Sequence, residues 1–314
     1  MNGKIFFPVL VAISLLTLGC NNPGTTKTKT FVGGTNGVLI NFAQEAPPAE
    51  VYDSCAGGNN QFDIVVELNN DGEYDVSKEN ALITITGIMP EDFGYSASML
   101  SKNPPEDLMG KKVGQPSVPV QVEFPNLAYR GNVLGDRSFP IRAEICYTYQ
   151  STAIAQTCIR SDLKSTSQGS CTVEGSKPVD GSGAPIQVTS FVESVAGNDQ
   201  VRYEITIEHK GNGNVFVPSS KCVDTYANRN RVYVNIVSRI PGLKCTGLRG
   251  GTDTSGYVTL NSEKGTGKAV ISCIQKIPQP EQGGRIDYTS DLTVTMSYDY
   301  LSYKIQQLTV KKSC

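Results

Sequence analysis

One fifteen-residue stretch occurs twice in this chain, and it constrains the fold more than any other feature. The copies are Ile145–Ile159 and Met296–Val310. At a constant offset of 151 residues, Tyr147/Tyr298, Tyr149/Tyr300, Ser151/Ser302, Ile154/Ile305 and Gln156/Gln307 coincide. Side chains alternate across a strand, so each copy reads as a β-hairpin with one apolar face and one wet face. In this reading Ile145, Tyr147 and Tyr149 share the core face with Ala155, Thr157 and Ile159. Cys146 then lies opposite Cys158 on the outer face, close enough for a surface disulfide.

A second landmark supports duplication. Phe62, Ile64, Val66 and Leu68 alternate up to the turn Asn70-Asp71-Gly72. At an offset of 141 residues, Tyr203, Ile205, Ile207 and His209 alternate up to Gly211-Asn212-Gly213. Further strands are expected near Ala81–Gly87, Val118–Phe124 and Phe139–Tyr149 in the first half. The second half offers Arg231–Ser238, Gly256–Leu260, Lys268–Cys273 and Asp291–Tyr300. Many short strands joined by turns point to an all-β fold of two tandem antiparallel Ig-like β-sandwich domains, residues 37–162 and 184–314. Between them, the Ser- and Gly-rich residues 163–183 read as a linker. Residues 89–115, with Pro90, Pro104 and Pro105, read as an irregular excursion.

The start of the chain is expected to be a targeting segment. Lys4 supplies a positive charge, and Ile5 to Leu18 is apolar but too short for an ordinary membrane span. The run Leu16-Thr17-Leu18-Gly19-Cys20 resembles a prokaryotic lipoprotein signal, which implies cleavage after residue 19 and a lipid on Cys20. Thr17 departs from the leucine usual at that place. Residues 20–36, polar and rich in Gly, Thr and Lys, then read as a tether. Without residues 1–19, 27 basic residues face 30 acidic ones, a balance that draws neither nucleic acid nor an anionic membrane surface.

Export makes the cysteines a disulfide framework. Setting Cys20 aside, eight remain, and eight allow roughly a hundred connectivities. The expected pairs are Cys146–Cys158, Cys245–Cys273 and Cys171–Cys222, which leaves Cys55 with Cys314.

The Phe62–Gly72 pattern and its echo at Tyr203–Gly213 resemble the early strands of adhesion-type Ig-like modules of archaeal and bacterial surface proteins. Other pieces resemble exported proteins of small-genome archaea: Cys146-Tyr147 with Cys158, Gly183-Ala184-Pro185-Ile186, Lys210 to Gly213, and Gly242 to Cys245 followed by Ile271-Ser272-Cys273. The resemblance implies tandem Ig-like domains on a cell surface. It carries over no catalytic or binding residue.

The chain offers few residues arranged for chemistry. The single histidine, His209, and the lack of Cys-x-x-Cys give no zinc spacing, so no metal site is expected. Asn69 to Asp75 crowds oxygen atoms as calcium loops do, but a β-turn accounts for it. No Gly-x-Ser-x-Gly or Walker pattern occurs, and no cofactor is expected. Tyr147, Tyr149, Tyr298 and Tyr300 read as core. The expectation is a non-catalytic, membrane-anchored surface lipoprotein for adhesion, scaffolding or display, meeting a surface protein or glycan. The alternative is an envelope lipoprotein that captures a sugar, peptide or ion.

Overall fold

The two repeated stretches are not hairpins. In a computed structural model describing residues 30–56, 60–163, 169–261, 267–280, 284 and 286–313, each lies within one long strand. These are β7 (Arg137–Arg160) and β17 (Asp287–Lys311), paired antiparallel from Arg137↔Val310 to Arg160↔Asp287. The physical reason is visible in the middle of each stretch. Neither Gln150-Ser151-Thr152 nor Leu301-Ser302-Tyr303 offers the Gly or Asn-Gly that a tight hairpin turn needs, and alternation runs through β7 without a change of phase. Odd-numbered residues from Phe139 to Ile159 are all buried.

The chain is all-β and antiparallel in almost every pairing, and it packs as a sandwich. The β7–β17 ribbon is the centre of the large sheet. It is flanked by β4 (Ala81–Thr86) and β5 (Ser101–Lys102) on one side, and by β13 (Arg231–Ser238) and β15 (Ser255–Thr259) on the other. Three short strands join it, β2 (Glu50–Tyr52), β9 (Val179–Gly181) and β12 (Asn214–Phe216). One smaller sheet contains β1 (Val38–Phe42), β3 (Phe62–Asn70) and β6 (Val120–Leu127). The other has the order β14 (Lys244–Thr246), β16 (Lys268–Lys276), β11 (Gln200–His209), β10 (Ile186–Val195) and β8 (Gly175–Ser176). Both smaller sheets turn their alternating apolar residues into one core with the ribbon.

The halves therefore share a sheet, and the duplication appears as a local two-fold relation. Leu82 lies opposite Cys146 in the β4–β7 pair, and their equivalents Tyr233 and Ser297 lie opposite each other in the β13–β17 pair. Across the ribbon, Tyr147 faces Tyr300 and Tyr149 faces Tyr298. Residues 163–183, read from the sequence as a linker, instead supply β8 and β9.

Two expected disulfides are corrected by this geometry. Cys146 and Cys158 sit twelve residues apart on one extended strand, which separates them by about 40 Å. Cys146 bonds Cys222 with Cα atoms 6.0 Å apart, and Cys158 bonds Cys171 at 5.6 Å, so the Cys171–Cys222 pairing also fails. Cys245 and Cys273 lie opposite each other on β14 and β16 and are bonded as expected. Cys55 is disulfide-bonded; Cys314, named as its partner, lies outside the described residues, as does Cys20.

Candidate binding slot along the central ribbon

Four tyrosines at the ribbon centre organise what lies around it. Tyr147, Tyr149, Tyr298 and Tyr300 are all buried, with neighbouring rings 5.7–6.2 Å apart. A buried tyrosine hydroxyl needs a partner, and each of the four finds one. Tyr147 Oη accepts the Val38 N–H at 2.9 Å. Tyr298 Oη meets Ser151 Oγ, across the ribbon, at 2.8 Å. Thus one smaller sheet is pinned to the ribbon through its first strand at Val38.

Tyr149 and Tyr300 do the same for the repeated turns. Tyr149 Oη accepts the Tyr74 N–H at 3.3 Å, just past Gly72. Tyr300 Oη accepts the Gly213 N–H at 2.7 Å, and His209 Nε2 lies 3.0 Å from it. A Cβ at Gly72 or Gly213 would collide with the tyrosine that latches it. Burial pushes the Tyr300 hydroxyl up to about 12, so it stays protonated. His209, lowered by burial, stays neutral and serves as a packed partner.

The carboxylates of the Asn69–Asp75 turn are already engaged. Glu73 accepts the N–H groups of Val32 at 2.8 Å, Gly33 at 2.9 Å and Gly183. Asp71 pairs with Lys111 at 3.3 Å, and Asp75 pairs with Lys112 at 3.4 Å. This turn clasps the crossing of residues 30–34 and 180–184. Cys158, Cys171 and Asp287 also come together, but both sulfurs are spent in a disulfide.

The two-fold relation is broken where the short strands join the ribbon, and beside β17 a slot opens. Beyond β4, the free edge of β7 is covered by β9, which pairs along Ala153–Ala155. The equivalent stretch of β17 is Lys304–Gln306, between Leu301, where pairing with β12 ends, and Thr309, where pairing with β2 begins. Among the described residues no strand pairs with that edge, and Gln306 Nε2 donates to the Pro47 carbonyl at 2.8 Å. The Thr309 N–H points outward to Ala49, so by alternation Tyr303, Ile305 and Gln307 turn their backbone groups to the same edge.

The opposite wall is also unpaired. Asp71 donates to Gly37 and Ala43 donates to Val65, so Ile40 directs its N–H and C=O away from β3. The cavity between the walls measures about 410 Å³ and is lined by Val38 to Asn41, Gly211 to Gly213, Tyr300, Ser302 and Lys304. Its equivalent over β7, lined by Ser151 to Ala153 and narrowed by Val179 and Gly181 of β9, measures about 220 Å³. Lys304 is exposed and, among the described residues, makes no ion pair.

Sequence reading placed the tyrosines in the core correctly and singled out the Ile154/Ile305 correspondence. It missed the slot, because the hairpin reading gave each strand a neighbour from its own copy. The signal available was Ala153 against Lys304, an apolar residue replaced by a charged one at a repeated position. The chain matches no protein-family model and no curated protein.

Proposed function

We propose that this chain is a non-catalytic lipoprotein of the cell envelope or outer surface that serves adhesion or display by accepting an extended polypeptide segment of a partner in the slot beside β17. The observation that carries the reading is the broken two-fold relation. A short strand of the chain itself fills the place over Ala153–Ala155, whereas the equivalent edge at Lys304–Gln306 is open. Strand addition to an exposed edge recruits affinity from main-chain hydrogen bonds and specificity from alternate side chains. Lys304 favours a segment with an acidic residue at that register.

Three disulfides among the described residues suit an oxidising, extracytoplasmic compartment. No helix among the described residues is long and apolar enough to cross a membrane. Anchoring through a lipid on Cys20 and the kinship with Ig-like surface modules belong to this proposal. They rest on the sequence motifs Leu16 to Cys20, Phe62 to Gly72 and Tyr203 to Gly213.

Screening the mature protein against displayed extended peptides, with hydrogen exchange as readout, tests the slot. The expected result is enrichment of acidic, β-forming segments and new protection confined to residues 302–308 and 38–42. Ile305→Pro removes an edge-facing N–H while leaving the β7 pairing in place, and it should abolish capture. Capture that survives Ile305→Pro would defeat the reading. Mass spectrometry of the mature chain tests the anchor separately, through a diacylglycerol mass on Cys20.

A further inference from the structure

A second cavity, remote from the slot, is built by the excursion after β4. That segment, expected from its prolines to be irregular, is anchored by side chains. Phe93 is fully buried, Tyr95 and Leu100 are nearly so, and the Tyr95 hydroxyl donates to the Pro125 carbonyl. The turn at Pro90–Phe93 ends in Gly94 with φ +75°, and a Cβ there would approach Arg130 Nε to 2.7 Å. The guanidinium thus lies directly over the glycine backbone, at the rim of a space of about 450 Å³.

The charge of the lining is one-sided. Arg130 and Lys102 are among the lining residues, and no Asp or Glu is. Lys102 is held across the Phe124 ring at 5.0 Å, with its ammonium donating to the Glu123 carbonyl at 2.7 Å. Among the described residues the Arg130 guanidinium has no ion pair. The remaining polar lining is neutral and short: Gln61, Ser98, Ser101 and Asn126. Asp63, beside the cavity, accepts the Asn126 N–H at 2.7 Å. Met99 and Pro125 supply apolar walls, with Met99 half exposed.

We propose that this cavity binds a carboxylated sugar unit of a glycan. A guanidinium and an ammonium recognise one carboxylate, the planar guanidinium in a fork and the ammonium as a point charge. The two serines and two amides present donors and acceptors suited to ring hydroxyls, and the Met99–Pro125 wall meets the apolar face of the ring. The volume suits one or two pyranose rings.

Titration calorimetry on the full mature protein tests this, with digalacturonate as probe and with maltose and acetate as controls. The expected result is saturable digalacturonate binding, at least tenfold weaker in Arg130→Gln and in Lys102→Gln, and tenfold weaker for each control. Gly94→Ala should weaken it similarly by displacing the guanidinium. Arg130 is exposed, so Arg130→Gln should keep the wild-type melting temperature, which separates lost binding from lost folding. Maltose binding as tight as digalacturonate would overturn the carboxylate recognition, and equal acetate binding would overturn the sugar. No saturable binding by digalacturonate, or binding unchanged in Arg130→Gln, would overturn the site itself.

Discussion

Thr148 and Asp299 face each other across the central ribbon, and Thr148 Oγ1 donates to Asp299 Oδ1 at 2.8 Å. They are also equivalent residues, 151 positions apart, so the local two-fold axis of the duplicated chain passes between them. At the axis the symmetry is broken chemically. Asp299 additionally accepts the N–H groups of Ser219 at 3.0 Å and Lys221 at 2.7 Å, and it is 1% exposed. One carboxylate thereby holds the loop that Cys222 ties to Cys146.

Replacing Asp299 by Ala should therefore cost about 3 kcal/mol, because two backbone donors and two hydroxyls lose their acceptor at a buried place. Thr148→Val removes only one neutral donor and should cost about 1 kcal/mol. Chemical denaturation of both variants checks the difference. Equal effects would mean that the loop is held elsewhere.

The disulfides give a sharp chemical test. Peptide mapping without reduction should recover Cys146–Cys222, Cys158–Cys171 and Cys245–Cys273, and no Cys146–Cys158 species. In the chain-entropy picture, a 76-residue separation stabilises by about 4 kcal/mol and a 13-residue one by about 3. Cys146→Ser with Cys222→Ser should accordingly lower stability more than Cys158→Ser with Cys171→Ser.

Tyr149 and Tyr300 are equivalent latches on equivalent turns, so each phenylalanine substitution should destabilise by about 1–2 kcal/mol through an orphaned turn N–H. Tyr300→Phe should also speed hydrogen exchange at Gly213. Tyr303→Phe, at a half-exposed ring on the outer face, should change neither.

Glu193 carries a pH dependence. It is fully buried against the Cys158 N–H at 2.9 Å and Lys177 at 3.1 Å, yet burial raises its carboxyl to about 7. The folded chain then holds a proton that the unfolded chain has released, so stability falls as pH rises from about 4.5 to about 7. The loss is on the order of 3 kcal/mol and levels off above that range. Glu193→Gln should flatten this slope in denaturation curves measured between pH 4.5 and pH 8. An unchanged slope would assign the titration to another group.

Much of this architecture was legible in the sequence. The duplication, the inward tyrosines and the turns at Gly72 and Gly213 follow from alternation and spacing, whereas the expected Cys245–Cys273 bridge, though present, did not. The hairpin did not hold, because period-two alternation is the same for a strand that turns back and for one that runs straight. Only the absence of a turn residue near Ser151 and Ser302 distinguishes them. Once β7 and β17 run straight, Cys146 and Cys158 separate, and the free edges change owner. The slot depends on which edge β9 covers, a long-range pairing that no local pattern encodes.

The central claim is that the repeated stretches form one ribbon rather than two hairpins, and a designed crosslink tests it most directly. Gln150 lies opposite Ser297 on the ribbon, half-buried on its outer side. Gln150→Cys with Ser297→Cys, oxidised mildly and mapped by peptide mass, should give a 150–297 disulfide in nearly all molecules while the native bridges persist. Failure of that bond to form in a folded protein would contradict the shared ribbon.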